Sequence, residues 1–566
     1  MGKPEEMTEP VGARAGALGI YLERRTLVML VLGFASGLPF LLIFDTLSAW
    51  LREAGLSLGV IGFFSLATLA YAFKFLWAPL VDRAALPGLT RLLGHRRSWM
   101  IVCQGLIMVG LWTIAGLDPA VELGRMALAA VAVGFAGATQ DIVMDAWRIE
   151  AADASRQGAM AAAYQWGYRI AMVVAGAAPL ILAEHFGWSF SYAAMAALMG
   201  IGVLGVLAAP REAAHAIRPL RGGDVRQSRA ATLAEWLARL AILGAGAVVL
   251  GSGLAGDATL IARALEGAGA GTLGQGLAAA WHAGTSGILL QVAAVAGGLV
   301  LVAVAAWPIP GVRTRPGLYL GAAFGEPLAD FFGRFARRAG LILALICLYR
   351  VADFVLNIMN PFYLDLGYTK VEVAEVRKVF GVVVSMLGIF AGGYVVARFG
   401  LMRALVVGAF AGPASNLVFA WLTAQGPSLA ALYVAIGIDN LASGFAGTVL
   451  IAYMSSLTSI GFTATQYALF SSLYALPGRL IASQSGRIVE AAAQSAQLGG
   501  ALAPLKGFLA GMPADAFAAG AARAAVSPVA LGAGYVAFFL YSTGIGLFAV
   551  VLAILVARAP RAPPAG

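Results

Sequence analysis

Residues 339–361 read AGLILALICLYRVADFVLNIMNP. As a helix, this run crosses a hydrocarbon core about 30 Å thick, which takes roughly 20 apolar residues. Two charges, Arg350 and Asp353, sit near its middle, three residues apart and so on one helix face. Working outward, similar runs lie near 26–48, 58–80, 98–117, 124–147, 160–183 and 189–209, then near 239–255 and 288–308. Five more follow near 379–398, 401–424, 428–453, 464–486 and 530–557. The pattern predicts an all-α polytopic membrane protein of about 14 transmembrane helices, two six-helix bundles plus two extra central helices.

Composition agrees. The chain has 566 residues, is 60% hydrophobic and only 12% charged, against about 25% charged for a soluble protein. With so little polar shell, the apolar surface must face lipid. The 71 glycines suit close helix approach rather than flexible linkers. A net charge of +10 does not indicate nucleic acid, because the basic residues fall in short loops between spans. Most of them lie on one side if both termini are placed in the cytoplasm, which predicts that orientation. The opening MGKPEEMTEP is polar and acidic, so no cleavable signal peptide is expected. Cys103 and Cys347 lie in apolar runs, and the four histidines lack ligand spacing. No metal, disulfide or cofactor is expected. Nothing catalytic appears either, neither a P-loop nor a nucleophile elbow, so the expected energy source is an ion gradient or the solute's own gradient.

The expected organisation is a cytoplasmic tail (1–25), a first bundle (26–209), a central insert with basic cytoplasmic loops (210–338) and a second bundle (339–566). A long Ala/Gly-rich periplasmic loop falls near 487–528, part of it amphipathic or irregular. The bundles echo one another. After the second span of the first stands Pro79-Leu-Val-Asp82-Arg83, then Gly94-His-Arg96-Arg97. The matching place in the second reads Gly392-Gly-Tyr-Val-Val-Ala-Arg398-Phe-Gly400-Leu-Met-Arg403. Both resemble the Gly/Asp-Arg-Gly-Arg loop of the major facilitator superfamily, which implies an ionic latch made by Asp82, Arg83, Arg96, Arg97, Asp145, Arg398 and Arg403. The second copy has Ala397 where an acid is expected, so its latch should be weaker. The fifth spans echo too, with Tyr164 and Arg169 spaced like Tyr474 and Arg479. Such repeats suit a carrier whose halves rock about a central site.

An ionisable side chain at mid-bilayer costs about 2.5–3.5 kcal/mol on insertion scales. Retained charges therefore need partners or a wet path. The candidates for substrate binding are Lys74, Gln140, Arg169, Tyr349, Arg350, Asn440, Gln466 and Arg479. The candidates for proton coupling are Asp45, Asp141, Asp353 and Asp439. Each has a plainer reading. Arg350 and Asp353 could be a self-neutralising structural pair, Lys74 could snorkel to the interface, and Asp45 could be interfacial. Trp50, Trp77, Trp112 and Trp147 read as interface anchors.

Several stretches together resemble the AmpG-type muropeptide permeases. They are Leu32-Gly-Phe-Ala-Ser-Gly-Leu-Pro39, Ile61-Gly-Phe-Phe-Ser65, Phe73-Lys-Phe-Leu-Trp-Ala-Pro79 and Ala138-Thr-Gln-Asp-Ile-Val-Met-Asp-Ala-Trp147. Tyr349-Arg-Val-Ala-Asp-Phe354, Thr463-Ala-Thr-Gln-Tyr-Ala-Leu-Phe-Ser-Ser472 and Gly478-Arg479 add the second half. The resemblance implies proton-linked import of anhydro-muropeptides from periplasm to cytoplasm, for peptidoglycan recycling and, in some bacteria, β-lactamase induction. It also implies a bacterial inner-membrane location, with protons and lipid as the other partners and a monomeric chain. Peptide carboxylates would meet Arg169, Arg350 and Arg479; sugar hydroxyls and amides would meet Gln140, Asn440, Gln466 and Tyr349. A related facilitator for another anionic solute (acetyl-CoA, a peptide or a siderophore) is the alternative. A membrane sensor that moves nothing is the reading from a different class.

Overall fold

The computed structural model describes residues 19–54, 71, 74–153, 156–211, 227–255, 258–281, 284–307, 309, 311–482, 485–513 and 515–558. All regular structure among them is helical, and 12 helices are long and apolar enough to cross a membrane. The principal elements are α1 (Arg24–Leu51), α2 (Ala78–Arg83), α3 (His95–Ala115), α4 (Leu123–Glu150), α5 (Gln157–Phe186) and α6 (Trp188–Ala208). Next come α7 (Arg229–Ala255), α8 (Gly284–Ala306), α9 (Glu326–Phe335), α10 (Ala339–Leu348) and α11 (Gly381–Phe399). Last are α12 (Leu401–Gln425), α13 (Leu429–Ser456), α14 (Thr463–Ala482), α15 (Ser485–Gln497) and α16 (Pro528–Arg558). Most of the second expected span, 58–80, and the Ile61–Ser65 motif lie outside the described residues.

The chain forms two compact units. One comprises Met1–Ile217, Val376–Ala411 and Ile436–Ser472; the other comprises Arg218–Glu375, Gly412–Ala435 and Leu473–Gly566. In the first unit, small residues set the packing. A Cβ at Gly167 of α5 would lie 1.9 Å from the Leu30 carbonyl oxygen, and one at Gly33 of α1 would lie 2.2 Å from that of Tyr164. Only glycine lets these two backbones touch, and that contact brings polar groups of α1 and α5 within reach of each other. The turn between α5 and α6 is the single residue Gly187, whose φ of 83° is open to glycine and costly for other residues. Gly400, at φ 88°, plays the same part between α11 and α12.

In the second unit, α7 and α8 form the extra hairpin that the sequence suggests. Gly298 on α8 faces Leu250 on α7 so closely that a Cβ would lie 2.5 Å from the Leu250 nitrogen. Helices also occupy stretches that lack long apolar runs. The connection between α7 and α8 contains the helices Thr259–Gly267 and Gly271–Trp281. The basic stretch 311–338 contains Arg315–Leu320 and the strongly amphipathic α9. The periplasmic-loop stretch begins with the amphipathic α15. Several of these short helices carry charges at helical spacing, such as Asp330 and Arg334 at 3.0 Å on α9, so long apolar runs alone do not reveal them.

Candidate transport site

Three polar clusters gather most of the candidate residues, two in the first unit and one in the second. The first cluster lies along α4. Ser36 of α1 donates to the Asp141 carboxylate and stands 2.8 Å from the Tyr164 hydroxyl of α5. The glycine contacts described above make that triad possible. One turn further, Asp145 lies 3.8 Å from the Lys74 ammonium and 3.3 Å from the Arg148 guanidinium. Arg148 is fully buried. It donates to Ser455 Oγ at 2.8 Å and lies 5.1 Å from the Tyr467 ring centroid, which ties a first-half helix to α13 and α14. Gln140 is also fully buried and donates to the Ala35 carbonyl at 2.9 Å, tying α4 to α1.

The second cluster is built around Asp82 at the end of α2. Its carboxylate accepts from Ala464 N at 3.2 Å, Thr465 N at 2.8 Å and Thr465 Oγ1 at 2.6 Å. These are otherwise orphan donors in the first turn of α14, where a carboxylate also meets the positive end of the helix dipole. Arg96, fully buried, bonds Asp82 at 2.8 Å and Glu150 at 2.6 Å. Arg83 lies over Phe462 at 5.9 Å. Of the residues expected to form a latch, Asp82, Arg83 and Arg96 thus lie at one cluster, together with Glu150 and Thr465, which the motif did not reveal. Arg97 does other work, donating to the Val206 and Leu207 carbonyls at the end of α6. Arg398 and Arg403 are exposed, and Arg398 lies over its neighbour Phe399. Asp145 belongs with Lys74 and Arg148 rather than with Asp82.

The third cluster, in the second unit, follows α10. Arg350 Nε donates to Asp353 at 2.8 Å, and the two close a salt bridge whose side chains keep 23% and 18% exposure. Tyr349 beside them is buried, and Phe354 packs on Tyr474 at 5.9 Å between centroids. A Cβ at Gly478 would collide with the Phe354 ring, so the Gly478-Arg479 motif allows this approach. The Arg479 side chain lies outside the described residues.

Arg169 is half-buried on α5. Asp45 is exposed in a π-turn, Leu42–Thr46. Asp439 and Asn440 are half-buried on α13, and Asn440 donates to the Ile436 carbonyl of its own helix. Gln466 is 1% exposed and accepts from Ser459 N at 2.8 Å, so it clamps the turn before α14. Ser36, Glu150, Ser455 and Tyr467 were not singled out from sequence. Among these, Ser36 alone had a signal, its place between Gly33 and Gly37 in a small-residue stripe. The described residues contain no group of three or more His, Cys, Asp or Glu able to hold a metal.

Buried ion pairs lie within an all-helical, multi-pass bundle whose fold is that of the major facilitator superfamily. Its fold matches a solved structure of the proton:xylose symporter XylE of that superfamily, with a TM-score of 0.50, 11% identity and 95% coverage of both chains. The chain is 30% identical over 477 residues to the anhydromuropeptide permease of Escherichia coli K12, covering 84% of this chain and 76% of that one. It is 28% identical over 473 residues to the putative transporter AmpG 4 of Rickettsia felis, covering 83% and 91%. A family model described as acetyl-coenzyme A transporter 1 matches residues 25–183. The chain belongs to the AmpG family of anhydromuropeptide permeases.

Proposed function

We propose that this protein imports anhydro-muropeptides from periplasm to cytoplasm by proton symport, across the bacterial inner membrane and with both termini cytoplasmic. The observation that carries the reading is the Arg350–Asp353 pair, placed in the middle of a span and only partly buried. A charged pair facing lipid is costly, so its open side belongs to a water-filled path. There the guanidinium offers a fork of donors for a carboxylate on the solute's peptide, and the paired aspartate can exchange a proton as the solute arrives. Asp141, held by Ser36 beside Tyr164, is the second acid in the proton route, with Asp439 and Asp45 as further members. Arg169, Arg479 and Lys74 supply cations to the solute, and Tyr349, Asn440, Gln140 and Gln466 supply its neutral partners. The Asp82 cluster closes the cytoplasmic side between cycles.

The acetyl-coenzyme A family match over residues 25–183 favours one second reading, export or import of a CoA ester. Uptake of radiolabelled anhydro-muropeptide into proteoliposomes, with and without an inward proton gradient, tests the first. Accumulation that needs the gradient and withstands excess acetyl-CoA supports it. Gradient-independent equilibration removes the symport, and competition by acetyl-CoA alone replaces the substrate.

A further inference from the structure

One end of the α7–α8 hairpin is built differently from the rest of the insert. Arg239 on α7 is 7% exposed. Its Nη1 donates to the Ala305 and Trp307 carbonyls at 2.8 Å each, where α8 ends. Glu235, which pairs with Arg239 at 2.8 Å, accepts from Thr314 Oγ1 at 2.8 Å. Gln227 accepts from the Arg315 nitrogen at 2.9 Å. These bonds fix the stretch that leads to α9. Around them Trp236 and Tyr319 stand edge to face at 5.9 Å, and Trp307 is 65% exposed. Tryptophan and tyrosine collected at a span's end mark the level of the lipid headgroups.

A cavity of about 580 Å³ opens at this level. Its wall includes apolar groups of Ile309, Val312 and Leu318, with one cation, Arg313, and one anion, Glu326. Arg313 is exposed and makes no ion pair among the described residues. The cavity runs into α9, whose Leu328 and Phe332 are 37% and 48% exposed while Pro327 and Phe331 are buried. An amphipathic helix with exposed apolar residues beside a span end lies in the plane of the interface.

We propose that this cavity holds a glycerophospholipid whose headgroup carries a primary ammonium beside its phosphate. Arg313 takes the phosphate and Glu326 takes the ammonium. The acyl chains lie on Leu318 and the apolar face of α9. The charge pair selects the occupant. A headgroup with a phosphate and no ammonium would face Glu326 with like charge, and a quaternary ammonium has no N–H to donate to it.

The test is native mass spectrometry of the full-length protein released from nanodiscs holding equal amounts of phosphatidylethanolamine, phosphatidylglycerol and phosphatidylcholine with the same acyl chains. Ethanolamine lipid should be retained about fivefold over the other two, the scale of one exposed ion pair. Arg313→Ala should lower retention of all three. Glu326→Gln should abolish the preference by lowering retention of the ethanolamine lipid to about the level of the other two. Both side chains are exposed, and an unchanged melting midpoint verifies that each variant is folded. Equal retention of the three lipids by the parent, dominance of phosphatidylglycerol, or a preference that survives Glu326→Gln overturns the proposal. So does displacement of bound lipid by soluble glycerophosphoethanolamine at the same concentration, which would make this a site for a free phosphate ester.

Discussion

Replacing Asp82 by alanine should loosen the closure between the two sequence halves by a calculable amount. Two kinds of contact made by the carboxylate bear on the balance. Its bond to Arg96 at 2.8 Å joins α2 to α3, both from the first half, so it persists whether the halves part or not and cancels from the balance. The three bonds from Ala464 and Thr465 cross to α14 and exist only while the halves meet. Water replaces them on opening, so each contributes about 1 kcal/mol net. Together that is about 3 kcal/mol, or roughly a 150-fold shift toward the open arrangement at 1.4 kcal/mol per decade. The probe is a cysteine at Ala468, 2% exposed on the buried side of α14, with Cys103 and Cys347 replaced. A membrane-impermeant maleimide applied from the latch side should label the Asp82→Ala variant on the order of 100-fold faster than the parent. Thr465→Ala, which removes one of the three bonds, should accelerate labelling only about fivefold. Equal rates in parent and Asp82→Ala, with both proteins inserted and folded, would show that this carboxylate holds nothing shut.

Three further outcomes follow from the other clusters. Asp353→Asn and Arg169→Ala should each abolish solute uptake by proteoliposomes while the protein still inserts, and normal uptake by both would remove them from the path. Ser36→Ala should leave substrate binding near the parent level, measured by equilibrium titration, but reduce proton-driven accumulation about tenfold, as expected for loss of a hydrogen bond to a charged group; the Asp141 triad is only structural if accumulation is unchanged. Gly167→Val should destabilise the first unit by about 3 kcal/mol or more, because even a Cβ there meets the Leu30 carbonyl at 1.9 Å. A thermal midpoint equal to the parent's would show that α1 and α5 can separate at no cost.

Reading this sequence succeeded where the physics is local and failed where it depends on approach. Spans announce themselves because lipid demands about 20 apolar residues in a row, and charges inside them stand out for the same reason. Arg350 and Asp353 are three residues apart, so their bond needed little tertiary knowledge, although the helix expected over 339–361 breaks at Tyr349–Arg350 and Arg350 stands as the N-cap of Val351–Val355. Asp82 was legible as an acid in a recurring loop. Its partners on α14 were not, since nothing in Thr463-Ala-Thr465 says that a carboxylate from almost 400 positions earlier will cap that helix. Gln466 reads as a cavity group because it is a polar residue in an apolar helix, and sequence does not reveal that its side-chain oxygen also accepts from the Ser459 N–H seven residues earlier. Glycine explains most of what was hidden. Gly33 and Gly167 admit a backbone contact that no side-chain pattern encodes, and that contact is what sets Ser36 against Asp141 and Tyr164. Polar residues in such a chain are therefore best judged by the glycines one turn away, which decide what can come near enough to bond.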